Sequence, residues 1–372
     1  MTPPSAASGR EAAPTTAGAP PSADAWARAR HRSWWVGLAL AVALLVSAVV
    51  ALTLGPADIT PADILGSARH HLANLVGAAA PADPLSRIQD AIVWQGRAPR
   101  VVAAVGIGAG LALTGTVMQA LLRNPLADPY LLGISSGASV GAVAVLVLGV
   151  SVLLPVAAFA GAVLALAASL TLAGVVSGGR LTPGRTVLAG VAVAQACSAV
   201  TSFVIFTSVQ GDSYREVLGW LMGTLGGATW RSAVIVWVAL AVVGVVLLSA
   251  GRTLDAFAFG DTAAASLGIH VARTRWILLG LVALLVGAMV SVSGSIGFVG
   301  LVVPHAVRLL VGARHVRVLP LAVGLGALVL LWADTAARIV IEPRELPVGI
   351  LTAAIGAPVF AILLARRRGG IA

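Results

Sequence analysis

The sequence predicts an all-α polytopic membrane protein with about ten transmembrane helices, and three observations predict it. Of 372 residues, 59% are hydrophobic and only 10% charged, against roughly 25% charged in soluble domains. Mean hydropathy is +0.99. Apolar runs of the ~20 residues that cross a bilayer core recur along the chain.

Residues 1–33 open with Ala, Pro, Ser, Thr and Gly and close on Arg28, Arg30 and Arg32. They hold too little apolar surface to order themselves and predict a disordered cytoplasmic tail. The run Trp34–Leu54 is longer than a signal-peptide core and reads as an uncleaved first span. The stretch 55–98 carries Pro56, Pro61, Pro81 and Pro84. It is the longest extramembrane segment, and too short for a domain of its own. Further spans are expected near 100–121, 131–150, 152–176, 186–208, 230–249, 274–292, 296–312, 319–338 and 347–364. Together they make a permease domain over 34–366, with a cytoplasmic loop at 252–273 and a tail at 367–372.

An even number of spans puts both termini on one side. With that side cytoplasmic, sixteen arginines and five acids lie inside, and eight of each lie outside. The positive-inside rule selects this orientation and accounts for the net charge of +10. A nucleic-acid surface would need its cations clustered on one soluble face, and they are not.

All 24 basic residues are arginine. A phosphate-binding loop of the Walker type needs a lysine on the β/γ-phosphates, so energy from ATP has to come from another polypeptide. The single cysteine, Cys197, excludes an intrachain disulfide and gives no thiolate metal set. His70 and His71 are adjacent and diverge on a helix, so no metal site and no cofactor are expected.

Four segments carry candidate chemistry. In Leu254–Gly268, Asp261 or Thr262 can cap a short helix that Gly268 stops. A capped, charge-poor loop displaying Phe257 and Phe259 either docks into a partner or lies on lipid. The stretch Val290–His305 is rich in Gly and Ser, and Pro304 frees a backbone carbonyl, as in a helix broken beside a cavity or in close helix packing. Asp334 lies within a span, where a carboxylate needs a partner. Arg338, four residues on, predicts an ion pair; a proton relay is the weaker alternative. In Gln119–Pro129, Gln119, Arg123 and Asn124 stand at the end of a span, where they satisfy proline-freed backbone or meet cargo.

These segments together resemble the permeases of iron-chelate and cobalamin ABC importers. The likeness rests on Arg97-Ala-Pro-Arg100, Gly110-Leu-Ala-Leu-Thr-Gly115-Thr-Val-Met-Gln119 and Asn124-Pro-Leu-Ala-Asp-Pro129-Tyr-Leu-Leu-Gly133. It continues through Gly260-Asp261, Leu267-Gly268, Gly294-Ser-Ile-Gly-Phe-Val-Gly-Leu-Val-Val-Pro304-His305-Ala-Val-Arg308, Ala333-Asp334 and Glu345-Leu-Pro-Val-Gly349. The resemblance implies a type II ABC importer permease, paired with a second permease subunit in the lipid bilayer of a bacterial inner membrane. It also implies separate ATP-binding cassette ATPase subunits and an external substrate-binding protein.

Residue by residue, it places Asp255, Gly260, Asp261, Ala264, Ala265, Leu267 and Gly268 on the ATPase-coupling segment. Arg97, Arg100 and Arg338 fall on positions that meet acidic residues of the binding protein. Thr182 and Pro183 fall on the turn that narrows the exit, with Gln119 and Asn124 along the path. Asp334, Pro304, His305 and Arg308 take structural roles within the membrane. The family more often has Asn at Asp255 and Leu-x-Leu-Gly at Phe257–Gly260.

The expectation is therefore a transport subunit, with no catalysis of its own, for a large chelate. A ferric siderophore is preferred and haem or cobalamin stand behind it. An ion-coupled secondary transporter is the rival class. Ala264→Arg is expected to uncouple ATP hydrolysis from uptake and leave folding intact.

Overall fold

The computed structural model describes residues 23–55, 57–78, 82–176, 178, 182–209, 213–341 and 344–368; of the tails expected at 1–33 and 367–372, residues 1–22 and 369–372 lie outside them. In chain order the helices are α1 (Ala23–Thr53), α2 (Pro61–Leu75), α3 (Arg87–Ala91), α4 (Ala98–Leu121), α5 (Ile134–Leu146), α6 (Leu154–Val176), α7 (Pro183–Ser208) and α8 (Ser213–Leu221). They continue as α9 (Trp230–Ala239), α10 (Val245–Ser249), α11 (Gly251–Ala258), α12 (Asp261–Ser266), α13 (Val271–Ser293), α14 (Val299–Val311), α15 (His315–Ile339) and α16 (Val348–Arg368).

Seven helical segments are long and apolar enough to cross a membrane: His31–Thr53, Arg87–Leu121, Leu154–Val176, Pro183–Ser208, Trp230–Ser249, Val271–Ser293 and His315–Ile339. Three shorter apolar helices, Ile134–Leu146, Val299–Val311 and Val348–Ile362, fall on the remaining three expected spans. Two ends differ from expectation. Helix α1 starts at Ala23, inside the stretch expected to be disordered, because Ala- and Arg-rich sequence extends a helix that the span has already nucleated. The span expected from residue 100 begins at Arg87. There Ser86 and Gln89 form a reciprocal capping box, and a widened π-turn over Ile92–Arg97 leads into α4, with the Ala98 N–H reaching back to the Val93 carbonyl.

Helix α4 is the axis of the fold and is buried along nearly its whole length. Its small residues let neighbours approach to backbone contact. A Cβ on Gly108 would lie 2.2 Å from the Gly326 carbonyl oxygen of α15, and one on Gly326 would lie 2.4 Å from that of Gly108. Gly137 of α5 and Gly161 of α6 notch each other in the same way, at 2.4 and 2.2 Å. In lipid, association gains from such close van der Waals contact because apolar burial gives little. Gly108→Ala has no free space for its methyl and is expected to cost about 1–3 kcal/mol, read as a lowered melting temperature in detergent.

The described residues of the 55–98 segment are folded. Ile59, Ile64, Leu85 and Val93 form a small core of their own. Thr60 and Asp63 close a capping box at the start of α2, and Trp230 Nε1 donates to the Trp94 carbonyl at 2.7 Å, tying the segment to α9.

Candidate functional site

The loop between α10 and α13 is an ordered two-helix unit. Gly260, at φ +101°, turns the chain from α11 into α12, and Gly268 at φ +82° releases it toward α13. Three anchors hold the unit. Asp255 accepts from the His315 backbone N–H at 2.7 Å and lies 2.9 Å from its Nδ1, fixing α11 to the start of α15. Arg275 of α13 donates two hydrogen bonds to Asp261, at 2.9 and 3.2 Å. The same guanidinium sits 5.4 Å from the centre of the Phe257 ring.

Burial sorts the residues expected to couple. Phe257 and Ala264 are fully buried at 0% exposure, whereas Phe259 is 80% and Leu267 is 70% exposed. Ala265 and Gly268 are also exposed. Two sequence expectations are corrected here. Phe257 is not displayed, because it packs under Arg275. Ala264 faces the bundle, so an arginine there would enter the core, and the expectation of intact folding fails. The outward face carries Ala258, Phe259, Ala265 and Leu267 beside the polar Thr262 and Ser266.

At the opposite end, Asp334 is 1% exposed, and its partner is Arg100 of α4 rather than Arg338. Arg100 grips it with Nε at 2.8 Å to Oδ2 and Nη2 at 2.9 Å to Oδ1, and reaches Glu345 with Nη1 at 2.6 Å. The Gly108–Gly326 notch explains the exchange: it brings α4 so near α15 that Arg100 lies against Asp334. Arg338, one turn further along, donates to the Ala51 carbonyl of α1 at 2.9 Å. Arg97 donates to the Leu52 and Thr53 carbonyls at 2.8 and 3.2 Å. All three arginines line one cavity of about 590 Å³, together with Gly55, Gly96 and Glu345.

Between these ends, Pro304 lies inside α14 without breaking it. The carbonyl it leaves without a helical partner, at Gly300, receives Gln119 Nε2 at 3.4 Å, and Leu301 receives the same amide at 3.1 Å. Arg308 donates to Gln119 Oε1 at 2.5 Å. Gln119, 4% exposed, is therefore a buried brace between α4 and α14 and lines no open path. The helix break lies earlier, at Gly294–Phe298, where both named residues have positive φ (66° and 67°). His305 is half-buried in α14. Asn124 accepts from the Leu126 N–H at 2.9 Å in an exposed turn. Thr182 and Pro183 start α7, with the Thr182 carbonyl accepting from both the N–H and the Oγ1 of Thr186.

Sequence reasoning passed over the clamp on that break. Tyr130 Oη donates to the Ile296 carbonyl at 3.0 Å and accepts its N–H at 3.2 Å, and Ser135 and Ser295 hydroxyls meet at 2.5 Å. Asp128, ringed by protein though partly open, caps the Tyr130 N–H. Loss of hydration pushes its carboxyl up to about 6 and raises the neighbouring phenol as well. The available signal was Tyr130 itself, one of two tyrosines in the chain.

The sequence matches the FecCD transport family over residues 43–366. The cobalamin import system permease BtuC of Halobacterium salinarum is 40% identical over 92% of this chain and 98% of its own length. The vitamin B12 import permease BtuC of Vibrio cholerae is 42% identical over 77% and 86%. A solved inward-facing transporter, described as of metal-chelate ABC type, superposes with a TM-score of 0.76 at 30% identity. That match covers 89% of this chain and 99% of the other.

Proposed function

The chain belongs to the FecCD transport family, whose members are ABC importer permeases, and from that premise we propose that it imports a corrinoid of the cobalamin class. It is a multi-pass transport subunit with no ATPase activity of its own. A permease of this type works with ATPase subunits, a substrate-binding protein and a second permease.

The observation that carries the coupling role is the anchored α11–α12 unit with Phe259 and Leu267 exposed at 80% and 70%. Rigid underneath, with two large apolar side chains outward, it is suited to fill a cleft on an ATPase and to transmit that subunit's movement to α13 and α15. The arginine distribution supports placing it on the cytoplasmic face, with both termini. The three-arginine cavity faces outward in this orientation and suits a carboxylate from the binding protein. Pairing with an identical chain is the simplest assembly. The cargo reading rests on relatives named for cobalamin and vitamin B12 import. A ferric siderophore is the second reading, supported by the metal-chelate transporter of similar structure. An ion-coupled mechanism finds no free carboxylate among the described spanning residues, since Arg100 saturates Asp334.

Reconstitution in liposomes with the cognate ATPase and binding protein is expected to give ATP-dependent uptake of labelled cyanocobalamin, with excess ferric siderophore failing to compete. Displacement by the siderophore would shift the cargo, and uptake by the permease alone after a pH jump would overturn the class.

A further inference from the structure

We propose that His71, Asp83 and Asp90 form a binding site for a divalent transition-metal cation of the zinc type. The three residues come from different places: α2, the connection after it, and α3. Each offers one donor atom, and the three atoms lie within 4.8 Å of one another. His71 Nε2 is 2.8 Å from Asp90 Oδ1 and 3.8 Å from Asp83 Oδ2. Bonds of ~2.0 Å in tetrahedral geometry put neighbouring donors about 3.3 Å apart, between those two separations.

The surroundings have the form of a metal site's outer shell. Ser67 is fully buried, and its Oγ stands 3.3 Å from Asp83 Oδ2 and 3.5 Å from Asp90 Oδ1. That hydroxyl is itself fixed by Trp94 Nε1, which donates to it at 2.9 Å. The remaining oxygen of Asp83 accepts the Leu85 N–H at 3.0 Å. The Trp94 ring walls one side, 4.6 Å from the imidazole. Outer partners of this kind orient ligands and tune affinity. Two carboxylates converge on one imidazole nitrogen, a surplus of negative charge that a divalent cation balances.

One nitrogen and two oxygens favour zinc or its first-row neighbours over calcium, which takes six to eight oxygens. Adjacency in the sequence shows only that His70 and His71 diverge on a helix. The fold instead brings two acids to His71 and turns His70 toward Asn74. Bound there, the cation clasps α2 to α3 beside the arginine cavity, which Ala57, Ile92 and Gly96 also line.

The test uses the tag-free, full-length permease in nanodiscs, stripped with a chelator. Calorimetric titration with Zn²⁺ is expected to give one cation per chain, and calcium no comparable binding. Co²⁺ should quench tryptophan fluorescence in the wild type. Trp94→Phe should diminish that quench and, by releasing Ser67 Oγ, weaken zinc binding as well. His71→Ala and Asp90→Asn should each lose the site, and Ser67→Ala should weaken it about 10- to 100-fold. Asp83→Asn, which alters only the connecting loop, is the second variant should the helix substitutions disturb folding. Zinc bound equally by wild type, His71→Ala and Asp83→Asn would mean adventitious surface binding and overturn the proposal, as would the absence of stoichiometric zinc.

Discussion

Replacing Arg100 with alanine is expected to remove most folded permease from the membrane. Asp334 is 1% exposed and receives three of its hydrogen bonds from this guanidinium. Truncation leaves a carboxylate between α4 and α15 without its guanidinium. Breaking one side of a buried pair costs about 3–5 kcal/mol, a large part of the 5–15 kcal/mol that holds a typical protein together. Arg338 acts on Asp334 through its charge, with Nη2 committed to the Ala51 carbonyl, and so offsets only part of the loss. Expression level and thermal melting of the detergent-extracted protein measure the loss. The paired change Arg100→Leu with Asp334→Leu should recover much of it, since apolar replacement of both partners is often neutral or better. If Arg100→Ala melts like the wild type, the pair is not what joins these helices.

Leu267→Asp is expected to leave the fold intact and to reduce ATP-driven uptake to background. The side chain is 70% exposed at the end of α12, where surface substitutions ordinarily change stability by within about 0.5 kcal/mol. A carboxylate in an apolar cleft, by contrast, must be desolvated without a partner. Ala264→Arg behaves in the opposite sense. At 0% exposure it forces a cation into the packing beneath α12 and is expected to lower yield before coupling can be measured. Thermal melts alongside liposome uptake separate the two. Full uptake by Leu267→Asp would remove α12 from the coupling role.

The ten spans were legible because each is written in consecutive residues: an apolar run of sufficient length has one stable fate in a membrane. The short helix at Asp261 was legible for the same local reason, but not its start: Gly260 stands at the N-cap with no side-chain cap bond, and the Asp261 carboxylate takes Arg275 instead. What escaped depends on which helix lies beside which. Asp334 has an arginine four residues away on its own helix, and sequence proximity points there. The partner it takes is 234 residues earlier, delivered by a glycine notch that no local pattern announces. Gln119 shows the intermediate case. The need of a proline-freed carbonyl was readable at Pro304, and a polar side chain to meet it was readable at Gln119, but their meeting was set by α4 against α14. The inward turn of Ala264 and Phe257 is likewise decided by Arg275, from the helix after the loop.

The paired glycine notches also bear on how the molecule can move. Side chains at an ordinary helix interface hop between rotamers and let one helix slip past another. Where carbonyl ridges sit directly in glycine recesses, a slip of one residue drives a Cβ into backbone on both sides, so the registers of α4 with α15 and of α5 with α6 are locked like the wards of a key. Each pair must travel as one piece. Between them stand two non-helical joints, the Gly294–Phe298 stretch and the left-handed turn at Gly133. The Tyr130 clamp spans those two joints, and so works as the latch between the two rigid pieces.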